Sequence, residues 1–434
     1  MKVNKVVIVG GGSYLWTPRS VAHMALTPVF QGAEIVLVDV SRERAAEIAD
    51  VMNRVLARAY PDSGIRCRGE IDLDQALPGA QLVFTCYQNL GKKTESTATE
   101  IGRRFGAHEN AFSAGPGMVL YLAVQGPVMV NLVQRMRRHC PEALLLNCSN
   151  PLPALCMVAI KAGWPARRVM GVDGVIDWNR LAMARFLKVP KDSLTFRTAG
   201  TNHLTFLADL KCDGKDVSEL LAKRAEEQPW LDLWCWGRSE SEVNIYKATG
   251  YLPCPGHASD LMPHLAGAML PPDPVSSAEA PIDNRVEYTP EFVDILKDYA
   301  AGKEVAWSPP THIDEPFTSL DALSKVNQGR LCSGQMMNQG AIPNLPDWAV
   351  LELELYVDAR GFTPLAAPAY PDLIAEIVRR QQVTFELAAR GVVENNVTYL
   401  RQAIQLCPFG DYWKQADAIL AEGRNAFGTA YVPQ

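Results

Sequence analysis

Three consecutive glycines, Gly10, Gly11 and Gly12, follow the apolar run Val6-Val-Ile-Val9 and lead into Ser13-Tyr14-Leu-Trp-Thr-Pro18. Four apolar residues handing over directly to glycine predict a buried parallel strand whose chain turns tightly. Such a turn aims backbone N–H groups and a helix N-terminus at an anion. The anion that suits it is the pyrophosphate of a dinucleotide, so Gly10, Gly11, Gly12, Ser13 and Tyr14 are candidate cofactor-binding residues. Glu34-Ile-Val-Leu-Val38 reads as a second strand ending in Asp39, 29 residues after Gly10. A carboxylate there accepts from a free ribose 2′-hydroxyl and repels a 2′-phosphate, which selects NAD over NADP.

The elements that must position these residues are visible as an alternation. Strand-like runs at 6–9, 35–38, 82–86 and Leu144–Asn147 are separated by stretches of helical periodicity such as Arg42–Ala59 and 119–139. That order predicts a parallel sheet with right-handed crossovers and ligands at the carboxyl ends of its strands. Two turns at those ends are polar, Thr85-Cys-Tyr-Gln-Asn89 and Asn147-Cys-Ser-Asn-Pro151. Cys86, Gln88 and Asn147 are therefore expected on the nicotinamide side. After about Lys191 the pattern changes to alternating segments at 195–198 and 205–210, then helices and Pro-rich loops, closing with amphipathic helices at 371–390 and Val397–Leu406. The fold expected is α/β: an N-terminal Rossmann-type parallel sheet binding NAD (1–190) and a C-terminal α+β substrate-binding and catalytic domain (191–434).

Composition bounds the partners. In 434 residues, 42 Lys and Arg stand against 48 Asp and Glu, a net charge of −6 without a dense basic run, which argues against nucleic acid. The ten cysteines are scattered singly with no CxxC pair, as in a reduced, cytoplasmic chain. The first strand begins within a few residues of Met1, and no apolar stretch is expected to approach the roughly 18–20 residues of a membrane span. A soluble protein with no membrane partner is expected.

Several segments together resemble glycoside hydrolase family 4, whose members share the lactate/malate dehydrogenase type of dinucleotide fold. They are Gly-Gly-Gly-Ser13 with Thr17-Pro18, Asn147-Cys-Ser-Asn-Pro151, Gly200-Thr-Asn-His203, and Gly340-Ala-Ile-Pro-Asn-Leu-Pro346 followed by Val357-Asp358 and Gly361. The resemblance implies an NAD-dependent glycosidase outside the usual two-carboxylate mechanism. In that family NAD⁺ takes hydride from C3 of the sugar, the new ketone acidifies the C2 proton, a base removes it, and the aglycone leaves C1. Water then adds and the hydride returns. Charge developing on the C3 oxygen is met in the family by a divalent metal held by a Cys and a His.

This chain departs from that pattern. His203 stands at the family His, but Met170-Gly-Val-Asp-Gly-Val175 puts Asp173 where the metal-binding Cys is usual, with Gly174 beside it. Asp173 and His203 either hold Mn²⁺, which carboxylate and imidazole suit, or hydrogen-bond sugar hydroxyls. The stretch Gly250-Tyr-Leu-Pro-Cys-Pro-Gly-His-Ala-Ser-Asp260 resembles the one from which an aromatic, a His and an acidic residue reach the family's site. One of Tyr251, His257 and Asp260 is then the C2 base or the leaving-group acid. Glu109, Asn150 and Asn202 are the matching substrate contacts. Where phospho-glycosidases of the family carry arginines, this chain reads Gln88-Asn-Leu-Gly-Lys-Lys93, so Lys92 and Lys93 would face a different C6 anion.

The resemblance points to hydrolysis of a 6-anionic hexopyranoside by a cytoplasmic homodimer or homotetramer. A sulfoquinovoside comes first, as in the related NAD-dependent sulfoquinovosidases, and a 6-phospho-glycoside next. Two rivals stay open at this point: an NAD-dependent 2-hydroxy-acid dehydrogenase of the same superfold, and a non-catalytic NAD-responsive binding protein.

Overall fold

The computed structural model describes residues 2–91, 93–107, 111–112, 114–172, 176–233, 237–254, 291–313, 317–324, 331–358, 360–408 and 410–434. Lys5–Val9 (β1) is Lys-Val-Val-Ile-Val and is buried from Val6 onward. Branched residues facing both ways suit a central strand covered on both faces. Glu34–Val38 (β2), Arg66–Glu70 (β3), Leu82–Thr85 (β4), Leu144–Asn147 (β5) and Val169–Gly171 (β6) run parallel to it in the order β3-β2-β1-β4-β5-β6. The chain thus winds one way from β1 to β3 and the other way from β4 to β6. The glycine turn emerges at the switch point between β1 and β4, where such sheets bind ligands.

β3 escapes sequence reading because its Arg-Cys-Arg-Gly-Glu has no apolar run. As the edge strand it is held instead by Asn53 of the helix Arg42–Ala59, whose amide donates to the Cys67 carbonyl and accepts from the Cys67 N–H, both at 2.8 Å. The same helix lies directly on the strand at Gly69, where a Cβ would come within 2.7 Å of the Ala45 backbone.

Beyond β6 the sheet continues with Leu331–Met337, Val350–Asp358 and Gly361–Pro364, all antiparallel, to a total of nine strands. Strands from both sides of residue 190 share this one sheet. A four-stranded sheet is built on the hairpin of Leu194–Thr201 (β7) and Leu204–Cys212 (β8), with Leu252–Pro253 and Lys215–Asp216 paired to β8.

The helix Gly115–His139 begins four residues before its apolar periodicity does, because Pro116 is tolerated in a first turn. By length and composition it could cross a membrane, so the expectation that no stretch would reach that length is corrected. Its apolar window is 78% buried, under the helices Lys93–Arg104, Leu152–Lys161 and Asp372–Val393, which makes it a core helix.

Candidate active site

The glycine turn is built by close packing. Gly10 has φ +89°, and a Cβ there would lie 2.6 Å from the Tyr87 nitrogen; one on Gly11 would lie 2.6 Å from Leu37 Cα. At Gly12 it would lie 2.8 Å from Asp39 Oδ2, the atom to which the Gly12 N–H donates at 3.0 Å. Asp39 Oδ1 accepts from the Ser41 N–H at 3.1 Å. Each carboxylate oxygen keeps a second acceptor position, so Asp39 ties the glycine turn to β2 and can still take two hydroxyls. Arg44 donates to the Gly12 carbonyl at 3.1 Å and lies 5.9 Å from the centre of the Tyr14 ring. Ser13 Oγ accepts from the Trp16 N–H at 3.1 Å, which starts the helix Trp16–Ala25 toward its Pro18. Val40, next to Asp39, is fully exposed.

Cys86 is buried against this turn with Sγ 3.5 Å from the Gly10 carbonyl. Burial pushes its thiol up to about 12, so it packs as a small apolar group. Asn147 is fully buried: its Oδ1 accepts from the Thr85 hydroxyl at 2.7 Å and the Ser149 N–H at 3.2 Å, and its Nδ2 donates to the carbonyls of Ser149 (3.0 Å) and Leu152 (3.2 Å). Its amide faces inward and shapes the turn that presents Asn150. Asn150 is half-buried, accepts from the Leu152 N–H at 3.2 Å, and precedes a cis peptide bond to Pro151.

The loop after β4 is fastened to the helix Gly115–His139 where Pro127 interrupts it. A proline there withholds an N–H from the helix ladder. In the same stretch Asn89 Nδ2 donates to the Val124 carbonyl at 3.0 Å and the Tyr87 hydroxyl to the Gln125 carbonyl at 3.1 Å. Gln88, between them, donates to the Tyr121 oxygen at 3.2 Å. Burial raises the Tyr121 hydroxyl, the Gln88 bond opposes the shift and Glu95 adds to it. Burial also raises the Glu95 carboxyl, against the pull of Arg103.

From Tyr121 a chain of rings leads to the hairpin: Phe112 lies 6.0 Å from Tyr121 and 6.1 Å from His203, centre to centre. Thr201 pairs with Leu204, so Asn202 and His203 form a two-residue turn. His203 has φ +63° and is 8% exposed, and Asn202 is buried. The geometry joins Gln88 to His203 through Tyr121 and Phe112.

The sequence profile described as family 4 glycosyl hydrolase matches residues 5–180, and that of its C-terminal domain matches residues 198–409. The chain belongs to glycosyl hydrolase family 4. An alpha-galactosidase of Bacillus subtilis is 24% identical over 94% of this chain and 93% of its own length. An alpha-galacturonidase of Thermoanaerobacter italicus is 20% identical over 89% and 88%. The solved structure of a 6-phospho-alpha-glucosidase from gut microorganisms, in complex with NAD and Mn²⁺, overlays with a TM-score of 0.79 at 19% identity, covering 100% of this chain and 99% of that one. This family-4 chain is therefore an enzyme, a glycoside hydrolase.

Not all the candidate residues of this glycoside hydrolase gather at His203. Tyr251 precedes the strand Leu252–Pro253, whose pairing with Leu207 and Phe206 sets it opposite Ala208, five residues along β8 from His203. That is a backbone separation of roughly 17 Å, and the Tyr251 ring packs on the core. Cys254, at the other end of the strand, donates its N–H to the Thr205 carbonyl, two residues from His203. Lys93 is exposed at the start of the helix Lys93–Arg104. Lys92, Glu109, Asp173, His257 and Asp260 lie outside the described residues. Among the described residues there is no group of three or more His, Cys, Asp or Glu side chains placed to share a metal ion. Tyr121 and Glu95 were missed in the sequence because aromatic and acidic residues in helices read as core and as surface, and Phe112 because a lone ring in a connecting turn carries no periodicity.

Proposed function

We propose that this family-4 enzyme is an NAD⁺-dependent glycosidase that hydrolyses a 6-anionic hexopyranoside. The observation that carries the reading is a path of contacts between two turns: the Asp39–glycine turn that suits a dinucleotide, with Gly10 against the Tyr87 backbone, and the Asn202–His203 turn, reached from the neighbouring Gln88 through Tyr121 and Phe112. Asp39 accepts from the ribose hydroxyls, the glycine turn and the N-terminus of the helix Trp16–Ala25 meet the pyrophosphate, and Val40 offers the adenine an apolar face. Held there, NAD⁺ would supply reversible hydride chemistry at sugar C3.

The side chains of the protein do the remaining work. Asn150, Asn202 and His203 orient the hydroxyls at C2 and C3 and meet negative charge growing on the C3 oxygen. A base takes the C2 proton; the distance of Tyr251 from His203 leaves His257 and Asp260 as the candidates. Leaving-group departure and addition of water at C1 complete a net hydrolysis. Mn²⁺ enters the reading only through Asp173 and His203, and we assign Asp173 to a sugar hydroxyl.

A sulfoquinovoside is our first substrate and a 6-phospho-glycoside the second, with Glu109, Lys92 and Lys93 as contacts. The relatives named for a galactoside, a galacturonide and a 6-phospho-glucoside carry an alcohol, a carboxylate and a phosphate at C6, so this position is where family members diverge. The 88–93 loop, with lysines in place of arginines, supports a further anion. We also propose a cytoplasmic homo-oligomer; Cys67, Cys86, Cys140, Cys156, Cys212 and Cys254 carry thiols rather than disulfides. The deciding experiment is release of 4-nitrophenol from sulfoquinovoside, 6-phospho-glucoside, galacturonide and galactoside, each with and without NAD⁺. Turnover of an anionic glycoside that needs only catalytic NAD⁺ is expected. Turnover of the galactoside alone would overturn the anion, and stoichiometric NADH from a hydroxy acid would overturn the reaction.

A further inference from the structure

One buried side chain ties the His203 turn to the end of β6. Gln335 is 1% exposed in the strand Leu331–Met337, and its Oε1 accepts from the Asn202 N–H at 2.9 Å and from the Thr201 hydroxyl at 3.2 Å. Its Nε2 donates to Glu352 Oε2 at 3.3 Å, and that oxygen also accepts from the Thr205 hydroxyl at 3.2 Å. The Thr201 hydroxyl also reaches the Val350 carbonyl at 2.9 Å and the Thr205 hydroxyl the Thr201 carbonyl at 2.8 Å, so each threonine shares its one hydrogen and the Asn202 N–H is the firm link from the turn to Gln335. Gln335 is also the residue paired with Gly171, the last residue of β6, where a Cβ would lie 2.9 Å from its own. The chain runs from Gly171 through Val172 to Asp173. A single side chain is therefore fixed between the strand that leads to one candidate site residue and the turn that carries the other.

The chemistry of the position calls for an amide. The Asn202 N–H of the turn needs an acceptor, and the Glu352 carboxylate needs a donor, within the width of one group. A glutamate would set two carboxylates against each other, and an apolar residue would leave buried donors unmade.

We propose that Gln335, backed by Glu352, is the positioning residue that fixes the direction of the His203 imidazole relative to the end of β6. The proposal rests on the reading that His203 touches the sugar or its metal. In ¹⁵N-histidine-labelled enzyme, with the His203 resonances assigned by their loss in His203→Ala, Gln335→Met is expected to move them. Those of His23 and His139 should hold. NAD⁺ affinity by calorimetry should stay within about twofold, while kcat on the glycoside falls tenfold or more. Glu352→Gln, which keeps an acceptor for Thr205 and Gln335, should leave the His203 resonances in place. If Gln335→Met does not fold, Gln335→Asn withdraws the amide by one methylene and should give the same displacement. A lower melting temperature with unmoved His203 resonances would show a merely structural glutamine and overturn the proposal. Moved resonances in an enzyme whose kcat does not change would leave the positioning intact and overturn the role given to His203.

Discussion

The N–H of Gly12 lies 3.0 Å from a carboxylate oxygen of Asp39, a contact that the Cβ of any other residue would block. Asp39 thus holds the glycine turn, and the proposed function gives it a second duty, receiving the ribose. Asp39→Ala is expected to weaken NAD⁺ binding by about 1–3 kcal/mol through lost charge-assisted hydrogen bonds. Gly12→Ala should weaken it too, by displacing the same carboxylate. Calorimetry on the wild type should show NAD⁺ binding well ahead of NADP⁺; equal affinities would remove Asp39 from cofactor choice.

If C2 is deprotonated during hydrolysis, turnover in D₂O should place deuterium at C2 of the released sugar, because the base exchanges its proton with solvent before returning one. NMR of the product reads this directly. A sugar with hydrogen alone at C2 would indicate direct displacement at C1.

Separation along β8 makes Tyr251 a poor partner for His203. Tyr251→Phe is expected to keep kcat within about threefold, whereas removing the true base from His257 or Asp260 should lower it by about 10²–10⁴. Steady-state rates of the three variants settle the assignment. A collapse in Tyr251→Phe with both others active would reverse it.

Asp173 and His203 decide the metal. With Asp173 on a sugar hydroxyl, enzyme stripped by chelator and found metal-free by elemental analysis should retain activity, while Asp173→Ala and His203→Ala lose it. Inhibition by chelator that only a divalent ion reverses would give both residues to Mn²⁺.

His23 stacks on Phe317 at 4.4 Å and is 3% exposed, and among the described residues its Nδ1 has no hydrogen-bond partner. Burial first, then Arg19 and His312, depress it from 6.5 to about 3. Between those values the unfolded chain holds a proton that the folded one refuses. Stability is therefore lost as pH falls below about 6.5, by up to about 1.4 kcal/mol per unit, and is flat above it. His23→Phe keeps the stack without the titration, so its acid unfolding midpoint should move to lower pH. Superimposable acid unfolding curves for the two proteins would place the acid sensitivity elsewhere.

Much of the sheet could be read in the chain because β1, β2, β4 and β5 are covered on both faces and therefore apolar apart from one end residue each. β3 could not, since an edge strand keeps polar residues. Nor could Leu331–Met337, whose Ser, Gly and Gln suit neighbours far away in sequence. The glycine turn stood out, but its packing against Asp39 did not, because a glycine run looks the same whether it makes room for a ligand or for a carboxylate. Polarity at the end of β5 pointed outward in the sequence, yet Asn147 turns its amide inward to the loop. Gln335 gave no signal at all: one amide in a strand reads as a solvent-facing residue until its partners are known.

The pairing of Gln335 in Leu331–Met337 with Gly171 of β6 puts strands from both halves of the chain, the one that suits a cofactor and the one that suits a sugar, in one sheet. Swinging one half away from the other would break that junction, so the proposed function assigns the admission of a glycoside and the release of its products to loops over a fixed sheet. Such a floor would keep the distance between the proposed nicotinamide site and the His203 turn constant through the catalytic cycle. That suits a reaction in which the same hydride has to find its way back to the carbon it left.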